Sequence, residues 1–261
     1  MIKLGQHFLT STAIAKRIVD SANIQPSDTV LEVGPGRGIL TQFLVTKAKK
    51  VVAVEKDTNL VSFLKEKFYG VKNLEVVEGD ILKIFNFQFS IFKQFSNHNF
   101  QFPKKYKIVA NLPYYITSRF LRLFLEEVQN KPYAMVLMVQ KEVAERICAK
   151  PPHMNLLALS VQAFGTPKIL FRVSRGSFLP PPEVDSAVIA IEHISDAFFE
   201  KRHISPQEFF KLPKKAFSQK RKMLRASISK SPEGYLPEIM ATKRPQELSL
   251  EDWIQIMKPE A

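Results

Sequence analysis

Asn111-Leu112-Pro113-Tyr114 follows the apolar run Lys107–Ala110 and puts an amide, a proline and an aromatic ring at a strand end. Tyr114 offers a flat face on which a planar base can stack, an interaction worth roughly 1–3 kcal/mol per base in nucleic-acid sites. The side-chain carbonyl of Asn111 can accept a hydrogen bond from an exocyclic amine. Pro113 has no N–H and restricts Leu112 to an extended conformation, which can turn the Leu112 carbonyl into the same pocket as a second acceptor. Two acceptors on one amine favour a pyramidal nitrogen with a localised lone pair, and such an amine can attack an electrophilic methyl. The plainer alternative is a turn, since Asn and Pro after a strand are ordinary turn chemistry.

The elements that would position such a site are legible upstream. Thr29–Val33 reads as a short apolar strand, followed by Gly34-Pro35-Gly36-Arg37-Gly38 and by Ile39–Leu44, which has helical apolar spacing. Strand, glycine loop and helix opening a βαβ unit form a nucleotide-binding context. The spacing is neither the dinucleotide pattern nor a Walker loop, so close backbone approach to a nucleoside or amino acid is expected rather than phosphate cradling. Arg37 is a solvated or RNA-facing charge. The next strand, Val51–Val54, ends in Glu55, 21 residues after Gly34, where a carboxylate can accept both hydroxyls of a ribose. A third, Leu74–Val77, leads through Glu78 and Gly79 to Asp80 and Ile81, and Asp80 can face an adenine amine. Any one of these carboxylates alone reads as a solvated strand end. Three successive strands ending in Gly34, Glu55 and Asp80 line one carboxyl edge of a parallel sheet, where such folds bind ligands.

Together these segments resemble a class I S-adenosylmethionine-dependent methyltransferase. With Asn-Leu-Pro-Tyr as the fourth motif, the chain is similar to the ribosomal RNA small-subunit adenine dimethyltransferase family. Gly5-Gln6-His7-Phe8-Leu9, Phe178–Ser186 with its Leu-Pro-Pro-Pro-Glu core, and the basic Ala216–Lys222 resemble that family's other signatures. The resemblance implies S-adenosylmethionine as cofactor, held by His7, Leu9, Gly34, Gly36, Glu55, Lys56, Asp80, Ile81 and Asn111. It places Asn111, Leu112, Pro113 and Tyr114 at the reacting amine and Phe178 on the other face of the adenine; read as a residue alone, Phe178 is equally a core aromatic capping the Pro180–Pro182 turn. The implied substrate is two adjacent adenosines in the terminal hairpin of small-subunit ribosomal RNA, each receiving two methyls. His7 departs from the Asn usual in the family, and Pro151-Pro-His-Met-Asn155 replaces a Tyr-Gly before the helix over Leu156–Val161. Two rival functions remain open: a related large-subunit RNA methyltransferase conferring macrolide resistance, in which Leu112 is typically Ile, and a nonenzymatic RNA-binding assembly factor.

The composition agrees with a polyanionic partner. With 38 Lys and Arg against 25 Asp and Glu, the 261 residues carry a formal charge of +13 and a pI near 9.7. Lys211 to Lys230 holds eight basic residues and no acid, and Lys214, Lys215, Lys220, Arg221, Lys222 and Arg225 are the candidate RNA contacts. A solvated helix face is the alternative. Cys148 is the only cysteine, which excludes a disulfide framework and a cysteine-based metal cluster. The histidines show no metal-ligand spacing, and no run approaches the roughly 20 apolar residues of a membrane span. A monomeric, cytoplasmic protein without a metal or a membrane partner is expected.

Strand patterns near residues 29, 51, 74, 107, 133, 168 and 186, separated by helical patterns, predict an α/β fold, a Rossmann-like doubly wound, mostly parallel seven-stranded sheet. After Ile194 amphipathic helices take over, with Ser205-Pro206 as a helix start, so residues 1–194 are read as a methyltransferase domain and 195–261 as a small all-helical RNA-binding domain. Residues 83–105 form a Phe-rich insert whose period-two alternation suggests a ribbon covering a sheet edge or nearby helices, with RNA stacking as the alternative.

Overall fold

The computed structural model describes residues 7–84, 105–228 and 236–257. Most of the Phe-rich insert, 85–104, lies outside the described residues, as do Gly5, Gln6 and Lys230. Nine strands are present among the described residues: β1 (Phe8–Leu9), β2 (Thr29–Val33), β3 (Lys50–Glu55), β4 (Leu74–Glu78), β5 (Tyr106–Asn111), β6 (Ala134–Gln140), β7 (Thr166–Val173), β8 (Phe178–Leu179) and β9 (Ser186–Glu192). Seven form one sheet in the order β4-β3-β2-β5-β6-β9-β7, and β1 pairs with β8 separately. β4, β3, β2, β5 and β6 run parallel, and β9 is antiparallel to β6. The expected mostly parallel sheet is therefore the observed one.

Burial on both faces explains why these segments are near-continuous apolar runs rather than alternating ones. Val30, Leu31, Val51, Val52, Ile108, Val109, Met135, Leu137, Val188 and Ile189 are all buried. Each such side chain contributes about 1.5–3 kcal/mol on leaving water. Helix Thr12–Ser21, one of those flanking the sheet, buries Ala15, Ile18 and Val19, the i, i+3, i+4 stripe of a core-facing helix, and the Ser11 side chain caps it by accepting from the Ile14 N–H at 3.3 Å.

The sheet order creates the place for a site. From β2 the chain steps outward through β3 to β4, then returns to the other side of β2 with β5 and continues to β6. At such a reversal the loops leaving neighbouring strands part in opposite directions and open a crevice at the carboxyl ends. Here that crevice lies between β2 and β5, which end at Val33 and Asn111.

The chain divides into two compact units, Met1–Ala144 with Lys168–Ile194, and Glu145–Pro167 with Ser195–Ala261. Glu145–Pro167, assigned by sequence to the first domain, groups with the C-terminal helices because Phe164 packs 4.9 Å from Phe199 and 6.5 Å from Phe210 between ring centroids. In this second unit helix Leu156–Gln162 is capped by the Asn155 side chain. Helix Pro206–Ser218 starts with the Ser205/Glu208 capping box and Pro206 in its first turn, the start read from the sequence.

Candidate active site

The glycine loop takes its shape from positions where a side chain would not fit. Gly36 has φ +57°, and a Cβ there would lie 3.2 Å from the Phe8 ring; at Gly38, φ +76°, it would lie 2.6 Å from the Phe68 ring. Positive φ and the crowding together require glycine at both. The loop is tied to the end of β3 through Glu55. One Glu55 oxygen accepts the Lys56 and Asp57 N–H groups at 2.8 and 3.0 Å, and the other accepts the Gly36 N–H at 3.1 Å. Three backbone donors fix this buried carboxylate in one orientation: Oε1 has both lone pairs engaged, and Oε2 keeps one open. Gly34 is held by the Val54 carbonyl at 2.9 Å and Gly79 by the Glu55 carbonyl at 2.8 Å, so the three strand ends form one edge.

Asp80 stands on that edge. Its oxygens accept from the Leu82 N–H at 3.1 Å and the Lys56 ammonium at 3.0 Å. Burial pushes the Asp80 carboxyl up, but Lys56 and the Leu82 N–H outweigh it and hold it below the ordinary carboxylate value.

Across the crevice, Asn111 closes β5 opposite Met138 of β6, and the Leu112 N–H donates to the Met138 carbonyl at 3.2 Å. Pro113 then turns the chain with φ −56° and ψ 129° into a 3-10 turn over Tyr114–Ile116. The Tyr114 hydroxyl is 2.7 Å from Ser186 Oγ, and burial, ahead of the smaller opposing effect of this hydrogen bond, raises the phenol above its ordinary value. The Tyr114 ring lies 6.1 Å from the His7 ring at an interplanar angle of 25°. His7 Nδ1 is 2.9 Å from the Pro180 carbonyl, which can only accept, so Nδ1 carries a hydrogen and, in the neutral ring, Nε2 presents a lone pair.

The pair β1/β8 joins two signatures that are far apart in the chain: Phe8 pairs with Leu179 and Leu9 with Phe178. It carries His7 and Phe178 to the same wall. A cavity of about 450 Å³, within the range of small-molecule sites, is lined by His7, Leu9, Gly34, Gly36, Glu55, Lys56, Asp80, Ile81, Asn111, Leu112, Pro113, Tyr114 and Phe178. Every residue that the sequence reading named for the cofactor and the reacting amine therefore faces one volume.

Three more residues belong here that the sequence reading did not single out. Glu32 lines the cavity at 1 % exposure, and Thr41 donates to one of its oxygens at 2.7 Å, while Oε1 is buried without a partner. Burial raises this carboxyl to about 8, against the Thr41 hydrogen bond and with help from the nearby Glu55 charge, so it is largely protonated at neutral pH. A glutamate inside an apolar strand just before a glycine loop was the available signal. Ser186 is legible only through its contact with Tyr114, and Tyr115 lines the cavity mouth beside it.

The candidate RNA contacts lie in the second unit. Lys214 and Lys215 are on helix Pro206–Ser218, Lys220, Arg221 and Lys222 in the turn after it, and Arg225 on the short helix Leu224–Ser227, and all six are exposed. Among the described residues no group of three or more His, Cys, Asp or Glu is placed to hold a metal, and no helix is long and apolar enough to cross a membrane.

Comparison with known proteins bears directly on this geometry. The family model described as ribosomal RNA adenine dimethylase matches residues 1–258. The chain belongs to the ribosomal RNA adenine dimethylase family. It is 41% identical over 259 residues to ribosomal RNA small subunit methyltransferase A of Dehalococcoides mccartyi, covering 96% of this chain and 84% of that protein. The protein of the same name from Fusobacterium nucleatum is 36% identical, covering 98% and 96%. Among solved structures, a dimethyladenosine transferase from Plasmodium falciparum superposes with a TM-score of 0.76 at 28% identity, over 95% of each chain. The 23S rRNA methyltransferase ErmE reaches a TM-score of 0.69 at 24% identity, over 96% of this chain and 99% of that one, a likeness of fold. Adenine dimethylases of this family depend on S-adenosylmethionine, and the cavity suits that molecule: the unpartnered Glu32 Oε1 can receive its ammonium as the carboxyl gives up its proton.

Proposed function

We propose that this protein dimethylates the exocyclic amines of two adjacent adenosines in the 3′-terminal hairpin of small-subunit ribosomal RNA during ribosome maturation, with S-adenosylmethionine as donor. The observation that carries the reading is the single cavity faced both by the ends of β2, β3 and β4 and by Asn111-Leu112-Pro113-Tyr114. S-adenosylmethionine supplies a methyl on a positively charged sulfur. Glu55 would accept from the ribose through the open lone pair on Oε2, Asp80 from the adenine amine and Glu32 from the ammonium, while His7, Leu9, Lys56, Ile81 and the Gly34 and Gly36 backbone would complete the wall.

At the reacting end, the Asn111 side-chain carbonyl and the Leu112 backbone carbonyl accept the two protons of the target amine and localise its lone pair. Tyr114 carries one face of the base and Phe178 closes the other. Extruding the adenine costs least from an unpaired loop. The methylated ammonium is acidic enough to lose its proton to water, so the residues act through proximity and exclusion of solvent. The exposed Lys214, Lys215, Lys220, Arg221, Lys222 and Arg225 supply phosphate contacts.

The test uses labelled S-adenosylmethionine with either unmethylated small ribosomal subunits or large-subunit RNA, and then maps the modified adenines. Dimethyladenosine pairs confined to the small subunit are expected. Label confined to large-subunit RNA would move the substrate, and label in neither would remove the enzymatic reading. Asn111→Ala is expected to abolish turnover with RNA binding retained.

A further inference from the structure

Tyr115 is the residue beside the base-binding segment whose placement the cofactor and target adenine leave unexplained. It lies at the cavity mouth, yet 79% of it is exposed, whereas Tyr114 is half-buried and Ile116 is buried. The 3-10 turn over Tyr114–Ile116 explains the contrast. With about three residues per turn, successive side chains leave the axis roughly 120° apart. Tyr114 is directed to Ser186, Ile116 to the core and Tyr115 to solvent, so the same turn presents one ring inside the cavity and one on its rim.

We infer that Tyr115 is a stacking platform for the nucleotide next to the target adenine in the RNA strand, and that it sets affinity for the substrate rather than for the cofactor. The inference rests on the proposed RNA substrate. A base taken into the cavity leaves its chain neighbours at the mouth, unstacked from it and still carrying apolar faces. An exposed aromatic ring adjoining the first base's platform is the surface that recovers this lost stacking, and it does so for any base because every base has a π face. Lys56 lines the same cavity, but its ammonium is paired with Asp80 at 3.0 Å, so the ring rather than a free charge is what the rim offers a neighbouring nucleotide.

The experiment compares wild type, Tyr115→Ala, Tyr115→Phe and Tyr115→Trp with unmethylated small ribosomal subunits as substrate, and measures S-adenosylhomocysteine binding to each protein by calorimetry without RNA. Tyr69→Ala, which removes an exposed tyrosine that does not line the cavity, serves as control. Tyr115→Ala is expected to raise KM for the subunits about tenfold, the weight of one stacked base, with S-adenosylhomocysteine affinity unchanged. Phe and Trp should restore KM, and Tyr69→Ala should leave it alone. An unchanged KM in Tyr115→Ala overturns the inference, and so does weakened S-adenosylhomocysteine binding, which would make Tyr115 a cover for the cofactor. Should wild type fail to methylate the subunits, the proposed function falls separately. Binding of single-stranded oligoadenylate, followed by tyrosine fluorescence, then decides the role of Tyr115: loss in the Ala variant upholds it and equal binding overturns it.

Discussion

The Tyr114 hydroxyl is hydrogen-bonded to Ser186 Oγ at 2.7 Å, so the turn after β5 is pinned to the first residue of β9 across the intervening β6. Ser186 is fully buried and cannot follow a moving partner, so the bond fixes the tilt of the ring proposed to carry the target base. A neutral hydrogen bond of this kind contributes about 1 kcal/mol net. Tyr114→Phe and Ser186→Ala are each expected to lower kcat/KM for ribosomal RNA several-fold. Because both remove the same bond, the double variant should be little worse than either single one. Additive losses in steady-state kinetics would mean that the bond does not orient the ring.

Glu32 predicts an unusual pH dependence. Its folded carboxyl titrates near 8, against 4.5 for an ordinary glutamate, so the folded protein keeps a proton that the unfolded chain has released. The stability this gives is complete below about 4.5 and is lost as pH rises toward 8. Glu32→Gln carries the neutral form permanently. The stability difference between the variant and wild type, followed by denaturant unfolding, should therefore shift in favour of the variant between these two values and stay level above them. A difference independent of pH would place the titration elsewhere.

How much of this was legible follows from the range of the interactions. β2, β3, β5 and β6 are covered on both faces, so their apolar runs announce them, and Glu55 and Asn111 are readable because each closes such a run, while Asp80 follows the half-buried edge strand β4. The pair β1/β8 is not readable: two residues carry no periodicity, and Leu9 meets Phe178 only through the completed sheet. The protonation of Glu32 depends on burial that no local pattern encodes. The grouping of Glu145–Pro167 with the second unit was hidden for the same reason, since Phe164 gives no local sign that its partners are Phe199 and Phe210.

At the other edge of the sheet, Lys107 and Asp28 form a buried pair at 3.0 Å. The ammonium also donates to the Ala22 carbonyl at 3.0 Å, and the Tyr133 hydroxyl donates to Asp28 at 2.9 Å, so the group joins the starts of β2, β5 and β6. Burial raises the Asp28 carboxyl, but the Gln25 N–H, Lys107 and Tyr133 together hold it below its ordinary value. Its contribution is thus present above the ordinary carboxylate range and lost on acidification through the depressed value. Lys107→Met leaves the Asp28 charge buried and is expected to cost about 3 kcal/mol. Adding Asp28→Asn should recover much of that loss, measured by thermal unfolding at neutral pH. No recovery would show that the lysine acts by packing alone.

The basic residues of the second unit should act through counterion release rather than through base recognition. Lys220, Arg221 and Lys222 are consecutive and exposed in a turn, where they can meet phosphates without distorting a helix. Each phosphate contact adds about 0.7 to the slope of log affinity against log salt for single-stranded RNA and about 0.9 for a B-form DNA duplex. Replacing all three with Gln is expected to weaken binding to small-subunit RNA at low salt, to flatten that slope by roughly 2, and to leave S-adenosylhomocysteine affinity unchanged. A weaker complex with the original slope would mean that these side chains contact something other than phosphate, and an unchanged complex would mean that the RNA does not reach this turn.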